Sequence, residues 1–275
     1  LLHFENGYVV RAKIVIGADG TFSTVRKVMA FPNDHLIYFG QMNWNAVVPT
    51  SSLPANVHPS NAIKAISSDA EPKWSSYIND CGGSHSFVQL RIADPTKALA
   101  LSGNRGRGGL GLKGVKENLL PIVQASQDLT AVLEAIPEEQ IFERCIAGRL
   151  VASSWRSNGG MVALLGDSAH GMHPAMGQGA NSAFESAAVL VKYLLDCDGD
   201  WKSGLEQYEK NRRPKADWVQ RSANLMGCAN EETKKSVDLW KWLAWPTDGD
   251  QPPEEGRDFV MSFDPLSQAG VSPMM

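Results

Sequence analysis

The chain has 275 residues, a formal net charge of −4, 43% hydrophobic residues and 20% charged residues. These are ordinary globular values, so they argue against a disordered, collagen-like or coiled-coil chain. At about 150 residues per domain, the length corresponds to one large domain or two modest ones. The mild acidic excess gives no electrostatic reason to expect nucleic acid or an anionic membrane surface as a partner.

The sequence also limits where the chain is expected to reside. Its richest apolar run, 187–195, is shorter than the roughly 20 residues of a membrane-spanning helix and is interrupted by Lys192. The N-terminus lacks the basic and apolar regions of a signal peptide. The scattered cysteines are typical of reduced thiols. We expect a soluble chain from a reducing compartment, cytoplasm or organelle, with no integral membrane segment.

The first predicted elements lie near the N-terminus. Residues 8–18 contain consecutive β-branched apolar residues, which is typical of a strand buried on both faces, as in a parallel sheet. This strand is predicted to end at Asp19, and helical spacing follows over 23–29. The next segment, 36–93, is rich in Trp, Tyr, Val and Ser and is broken by prolines, which predicts a mainly antiparallel sheet.

The second half of the chain returns to helices and a buried strand. Residues 115–136 carry apolar side chains at helical spacing. A buried strand is predicted at 160–166, followed by a glycine-rich loop and by amphipathic helices over 182–195 and 201–226. The end, 246–275, is rich in Pro, Gly and Asp and is predicted to be extended. The order is therefore α/β, then a β-rich insertion, then α/β again.

Three short patterns resemble chemical motifs, but the residues around them argue against each interpretation. The G-x-G-x-x-G match at 106–111 lacks a clear preceding strand, so a flexible loop explains it better than a nucleotide site. Asp167, His170 and His173 have the spacing of metal ligands, but the glycines and proline around them disfavour a continuous helix. Gly166-Asp167-Ser168 resembles a serine nucleophile turn, but His170 stands where that motif needs glycine.

Two strand–loop units carry a more specific pattern. Asp19-Gly20-x-x-Ser23-x-x-Arg26 follows the first buried strand. Gly166-Asp167 follows the second, with Pro174, Gly177, Gln178, Gly179 and Asn181 after it, and Tyr208, Arg212 and Pro214 stand in a later helix. This ordered set, over about 10–229, resembles the FAD-dependent (group A) flavoprotein monooxygenases of the para-hydroxybenzoate hydroxylase superfamily, which includes aromatic hydroxylases, kynurenine hydroxylase and zeaxanthin epoxidase.

The resemblance implies an α/β fold, which is α+β when the whole chain is considered. An incomplete FAD-binding domain of the Rossmann-like type would contain an inserted substrate domain, which is a mainly antiparallel β-sheet. We expect parts of the FAD-binding domain at 1–35 and 148–230, the substrate domain at 36–147, and a C-terminal helix and extended tail at 231–275. Family members begin with a G-x-G-x-x-G segment that holds the ADP half of FAD. Because that segment is missing here, we expect the chain to be the C-terminal portion of a longer protein.

The resemblance also assigns roles in cofactor binding. Asp167 is expected to accept a hydrogen bond from a ribityl hydroxyl of FAD, a turn or helix cap being its alternative role. Pro174 would lie beside the reactive edge of the flavin or simply stiffen the loop. Arg26 would pair with the pyrophosphate, or with Asp19 or a helix end. No catalytic residue and no metal ligand is assigned. The predicted cofactor-binding set is Asp19, Gly20, Arg26, Gly166, Asp167, Pro174, Gly177, Gln178, Gly179, Ala180 and Asn181.

The implied reaction is monooxygenation. FAD would be reduced by NAD(P)H, O2 would form a flavin C4a-hydroperoxide, and one oxygen atom would hydroxylate or epoxidise a small aromatic or isoprenoid substrate. The cofactor carries this chemistry, and the protein supplies orientation and a dry pocket. Two alternatives remain open: a truncated paralogue with a non-enzymatic binding role, and a flavin-linked reductase or halogenase that shares the cofactor motifs.

Overall fold

The structure is a computed structural model that describes residues 1–29, 31, 34, 36–57, 63–67, 72–94, 96, 99, 109–110 and 113–227. Its strands are β1 (Leu2–His3), β2 (Val9–Val10), β3 (Val15–Gly17), β4 (Leu36–Pro49), β5 (Ile63–Ser67), β6 (Trp74–Gly82), β7 (His85–Ala93), β8 (Gly109–Leu110), β9 (Phe142–Arg149) and β10 (Val162–Leu164). Its α-helices are α1 (Thr24–Met29), α2 (Val115–Val123), α3 (Gln127–Ala135), α4 (Asp167–His170), α5 (Gly179–Asp196) and α6 (Trp201–Gly227).

The described residues divide into two compact units. We call residues 38–147 the sheet unit, and residues 1–37 with 148–227 the parallel-strand unit. The predicted helix and tail at 231–275 lie outside the described residues, as do Gly106, Gly108 and Gly111 of the glycine-rich match. Among the described helices, none is long and apolar enough to cross a membrane.

The sheet unit is built on a sheet whose strand order is β5-β6-β7-β4-β9-β8. β4 and β7 pair antiparallel and place Met42 opposite Ile92 and Trp44 opposite Leu90. Because side chains alternate across a strand, these four residues lie on one face of the sheet, where they are buried in a single apolar core. The antiparallel sheet predicted over 36–93 is confirmed.

Helices α2 and α3 supply the other half of that core. Their apolar positions, including Val115, Leu119 and Val132, are fully buried in the same cluster. The helical spacing predicted over 115–136 is therefore confirmed, although it forms two helices rather than one. The break has a local cause: the Ser126 side chain accepts a hydrogen bond from the backbone N–H of Leu129 and so caps the start of α3.

The parallel-strand unit contains both predicted buried strands, but each is shorter than predicted. β3 and β10 pair parallel over three residues, with Val15 opposite Val162 and Gly17 opposite Leu164. The predicted strand at 8–18 is divided, because β2 forms a separate, exposed antiparallel pair with β1. Parallel pairing places the carboxyl ends of β3 and β10 at one edge, so the loops that follow them meet there.

Helices α5 and α6 pack beside this strand pair. Helix α5 begins at Gly179, three residues before the predicted start, and α6 closely matches its predicted range. The Tyr208 hydroxyl of α6 donates a 3.0 Å hydrogen bond to the Leu164 carbonyl of β10. Arg212 of α6 forms a 2.8 Å ion pair with Glu185 of α5. These buried contacts join both helices to the strands, as expected of a structural helix signature.

Candidate functional site

A pocket of about 630 Å³ lies at the carboxyl edge of the parallel strands. This volume is in the range of small-molecule and cofactor sites. The pocket brings together the loop after β3, the start of α4 and the start of α5, which are far apart in the sequence. Its lining residues are Ala18, Gly20, Leu165, Gly166, Asp167, Met172, Pro174, Gly177, Gly179, Ala180 and Ala183.

Two glycines of this lining adopt backbone conformations that other residues rarely adopt. Gly166 has φ +64° and ψ −141°, which turns the chain from β10 into α4. A Cβ on Gly166 would also lie 3.4 Å from the Ala183 Cβ. Gly177 has φ +64° and ends the 3₁₀ turn Pro174–Met176. Both turns therefore favour glycine, and both keep the pocket wall free of side chains at these points.

Asp167 brings a carboxylate to this wall. Its side chain is exposed, and its Oδ2 atom accepts a 3.2 Å hydrogen bond from the Thr21 hydroxyl. Gly166 occupies the N-cap of α4 and Asp167 is the first residue of that helix, so Asp167 does not stand at the cap position. Neighbouring Ser168 is fully buried, and its hydroxyl bonds the Gly17 and Leu165 carbonyls. The Asp167 carboxylate can therefore accept a hydrogen bond from a ligand in the pocket, whereas the buried Ser168 hydroxyl does not face it.

The start of α5 presents backbone N–H groups beside this carboxylate. Gly179 and Ala180 line the pocket, and Gln178 at the N-cap makes no side-chain capping bond in the described structure. Instead, the Gln178 Oε1 atom accepts a 3.3 Å hydrogen bond from the Asn181 side chain. The first N–H groups of a helix have no partner within the helix, and they carry its positive dipole end. This end of α5 is therefore suited to a negatively charged or oxygen-rich group.

Asp19 has a structural role at the start of α1. One of its carboxylate oxygens accepts a 2.5 Å bond from the Ser23 hydroxyl, and the other accepts bonds of 2.7 and 3.1 Å from the Thr24 and Val25 amides. Burial raises the pKa of this carboxyl group, but these hydrogen bonds outweigh that effect and lower the pKa overall. Asp19 thus caps α1, and the structure does not place it in the pocket lining.

Arg26 departs from the expected pyrophosphate contact. Its side chain is 1% exposed, and it forms a 2.9 Å ion pair with Asp34. Its terminal nitrogens donate to the backbone carbonyls of Ser168, Ala169 and Leu150 at 3.0, 2.8 and 3.0 Å. Four of the five N–H donors of this buried guanidinium are committed to these acceptors, which disfavours a contact with a ligand phosphate. The carboxylate that pairs with Arg26 is Asp34 rather than Asp19, and the bonds from Arg26 to the Ser168 and Ala169 carbonyls of α4 agree with the alternative role at a helix end.

The histidines of the suggested metal pattern point into the protein. His170 is fully buried, hydrogen-bonded to Ser186 at 3.0 Å and packed against the Trp155 ring at 5.4 Å. The His173 ring accepts a 2.9 Å bond from the Ala175 amide and so caps the following 3₁₀ turn. Among the residues that the structure describes, no group of three or more potential ligands is arranged to hold a metal ion.

The sequence around this pocket is similar to that of known FAD-binding proteins. A family profile described as "FAD binding domain" matches residues 109–223, which include α4, α5 and most of the pocket lining. The chain is 25% identical over 244 residues to kynurenine 3-monooxygenase of Flavobacterium psychrophilum, covering 84% of this chain and 51% of that protein. It is 30% identical over 223 residues to the chloroplastic zeaxanthin epoxidase of Prunus armeniaca, covering 76% of this chain and 30% of that protein.

These comparisons confirm the resemblance to FAD-dependent monooxygenases.

The description of the matching profile agrees with FAD as the predicted cofactor. The fold agrees: a crystal structure of CtdE in complex with FAD and substrate 4 superposes with a TM-score of 0.72 at 17% identity. That match covers 96% of this chain and 63% of CtdE. The chain spans about half the length of the kynurenine 3-monooxygenase that it matches, and less of the epoxidase.

The residues around the pocket are compatible with the flavin and ribityl part of FAD. The exposed Asp167 carboxylate provides acceptors for hydroxyl groups, and a Cβ added at Gly177 or Gly179 would meet no atom within 4 Å. The wall at these glycines is therefore open to a flat ligand. The first turn of α5, which the structure describes in full, contains no acidic side chain that would oppose an anionic group.

Proposed function

We propose that this protein is an FAD-dependent monooxygenase that uses NAD(P)H and O2 to hydroxylate or epoxidise a small organic substrate. The observation that carries the proposal is the pocket at the carboxyl edge of β3 and β10, which Asp167 and the start of α5 both line. The family match spans nine of the eleven residues that line the pocket. Open α/β sheets bind ligands at this edge.

Asp167 would hold the ribityl chain of FAD by accepting hydrogen bonds from its hydroxyl groups. The Thr21 hydroxyl already donates to one Asp167 oxygen at 3.2 Å, which fixes the orientation of the carboxylate and leaves other lone pairs for the ligand. Gly20 and Gly166 leave space along the adjacent pocket wall, because neither carries a side chain. Asp167 thus acts as a binding and orienting group rather than as an acid or base.

The turn from Pro174 to Gly179 would contact the flavin ring. Pro174 lines the pocket and starts the 3₁₀ turn, so its fixed backbone angle stiffens the wall next to the ring. The backbone N–H groups of Gly179 and Ala180 would face the N1 and C2 carbonyl side of the flavin. There, the positive end of α5 would stabilise negative charge that develops on the ring.

When bound, FAD supplies the acceptance of hydride from NAD(P)H and the activation of O2. The chain's own residues hold and orient the cofactor and exclude water around it. We therefore assign no side chain a covalent step in the reaction.

The substrate class in this proposal is a small aromatic or isoprenoid compound. Support comes from the names of the two relatives above, a kynurenine 3-monooxygenase and a zeaxanthin epoxidase. One is named for hydroxylation of an aromatic amino acid, and the other for epoxidation of an isoprenoid. Hydroxylation and epoxidation both insert one oxygen atom, so the proposal covers both outcomes.

The test is oxygen transfer from labelled O2. The protein is supplied with FAD, NADPH or NADH, ¹⁸O2 and, in separate reactions, kynurenine or zeaxanthin as the probe. The proposal expects FAD retention and a product that carries one ¹⁸O atom in at least one reaction. Oxidation of NAD(P)H that gives a reduced or halogenated product without ¹⁸O would instead identify a flavin-linked reductase or halogenase. Failure of the full-length protein to bind FAD would overturn the proposal altogether.

A further inference from the structure

One buried carboxylate, that of Asp34, joins the segments around the candidate site. Its Oδ1 atom accepts a 2.9 Å hydrogen bond from Arg26 Nε, and its Oδ2 atom accepts a 3.0 Å bond from Arg149 Nη1. The side chains of Asp34 and Arg149 are each 8% exposed, and that of Arg26 is 1% exposed. Because each oxygen bonds a different guanidinium, the carboxylate reduces the repulsion between the two positive charges and fixes their separation.

The first guanidinium holds the helix that carries Asp167. Arg26 donates to the backbone carbonyls of Ser168 and Ala169, the two residues directly after Asp167 in α4. It also donates to the Leu150 carbonyl, just after β9. A shift of the Arg26 guanidinium would therefore move or release the short helix from which the Asp167 carboxylate projects.

The second guanidinium holds the loop on the opposite side of Asp167. Arg149 Nε donates a 2.6 Å bond to the Thr21 carbonyl, and the Thr21 hydroxyl donates to the Asp167 carboxylate. The backbone N–H of Arg149 also donates a 3.0 Å bond to the Gly171 carbonyl at the end of α4. The two arginines therefore fix Asp167 from both sides, and Asp34 sets the distance between them.

We propose that Asp34 is a positioning residue for the candidate site, which it shapes through Arg26 and Arg149 without lining the pocket. Its bridging carboxylate holds the loop after β3, the segment after β9 and helix α4 in the arrangement that presents Asp167 to a ligand. The inference rests on the proposed function in one respect, because it takes FAD as the ligand of this pocket.

The same unit contains a matched carboxylate that bridges two arginines away from the pocket. Glu209 of α6 accepts a 2.9 Å bond from Arg156 Nε and a 3.1 Å bond from Arg213 Nη1, and it also accepts a 2.7 Å bond from the Trp155 amide. Neither Glu209 nor its partners line the Asp167 pocket. Neutralising Glu209 removes equivalent chemistry from the same unit, so it controls for a loss of stability alone.

The experiment compares Asp34→Asn with Glu209→Gln in the full chain. Hydrogen exchange is measured without FAD at the Arg149 and Gly171 amides, which bond Gly171 O and Asp167 O respectively. FAD affinity is measured by titration. We expect Asp34→Asn to speed exchange at these amides and weaken FAD binding, each by about tenfold or more, which is the effect of about 1.4 kcal/mol. Glu209→Gln should change both by less than about threefold, because its bonds lie elsewhere.

A second variant covers the case in which Asp34→Asn fails to fold. Asp34→Glu keeps the charge and lengthens the bridge by one methylene, so it should fold while still speeding exchange at Gly171 and weakening FAD binding. Wild-type exchange and affinity in Asp34→Glu would overturn the positioning role, and so would equal exchange in Asp34→Asn and Glu209→Gln. If the full-length wild type does not bind FAD, the proposed function fails, and the exchange comparison still decides the role of Asp34.

Discussion

The two units of this protein are stabilised by different kinds of contact. The sheet unit buries a continuous apolar cluster, in which the alternating side chains of β4 and β7 pack against α2 and α3. The parallel-strand unit has a smaller apolar cluster and instead buries Arg26, Arg212, Lys215, Asp217, Gln220 and Asn224.

The difference follows from the sequence of the loops that form the pocket. Loops rich in glycine, proline and aspartate expose little apolar surface, so hydrophobic burial cannot fix their shape. Directed hydrogen bonds fix them instead: Gln220 of α6 donates to the carbonyls of Arg149 and Gly171, and the Asn224 side chain accepts from the His173 amide. The pocket therefore depends on buried polar groups, and the sheet unit depends on apolar packing.

The largest expected effect of a single substitution is in the parallel-strand unit. Arg26→Met preserves the approximate length of the side chain but removes its hydrogen bonds to Asp34 and to the backbone carbonyls. Breaking a buried ion pair at one partner costs about 3–5 kcal/mol, because the remaining groups stay buried and uncompensated. We expect a loss of about 4 kcal/mol in the free energy of unfolding. Urea denaturation measures this change. A loss of less than about 1 kcal/mol in the free energy of unfolding would contradict the conclusion that buried polar contacts stabilise this unit.

The sheet unit should respond most to the loss of apolar volume. Leu119 of α2 is fully buried in the apolar cluster, so Leu119→Ala removes packing without disturbing an ion pair. Such substitutions cost about 2–5 kcal/mol, and we expect about 3 kcal/mol here. The same urea experiment measures it. Unchanged stability would mean that the cluster does not hold this unit together.

A smaller effect is expected from the buried His170. Burial, with the nearby positive charge of Arg212, lowers the pKa of His170 to about 3. Because the unfolded pKa is about 6.5, the unfolded state binds more protons below that pH, and the contribution of neutral His170 is lost as the pH falls. Between pH 7 and pH 5, this loss is about 2 kcal/mol.

The variant His170→Gln isolates this contribution. Glutamine can still hydrogen-bond to Ser186, but it does not titrate. The pKa of buried Asp217 is raised to about 6 and changes stability in the opposite direction, but it is present in both proteins. The wild type should therefore lose about 2 kcal/mol more than the variant between pH 7 and pH 5, measured by urea denaturation at each pH. Parallel pH profiles would show that His170 does not titrate in this way.

The sequence predicted the elements whose signals are local. Helical spacing located α2, α3, α5 and α6. Consecutive apolar residues located β3 and β10, although the lengths of both strands were overestimated. Gly166, Asp167 and Gly177 were recognised from their order after the second strand, and the structure brings them into one pocket.

The sequence could not identify contacts between distant segments. Arg26 was interpreted as a ligand contact because its burial depends on carbonyls of Leu150, Ser168 and Ala169, which no spacing rule connects to it. Asp34 was missed for the same reason, since its partner Arg149 follows the whole inserted sheet. The bonds of Asp19 to the Thr24 and Val25 amides were missed too, because Asp19 lies five residues before α1 and outside its N-cap position.

The measurement that tests the central claim most directly is FAD titration of the wild type, Asp167→Ala and Ser168→Ala. Asp167 presents its carboxylate to the pocket, whereas the adjacent Ser168 is buried and bonds only the backbone. Loss of a hydrogen bond to a charged group costs about 1.5–3 kcal/mol, so Asp167→Ala should weaken FAD binding by about tenfold or more. Ser168→Ala should stay within about threefold of the wild type. Equal affinity in the two variants would contradict the assignment of Asp167 as the contact to FAD.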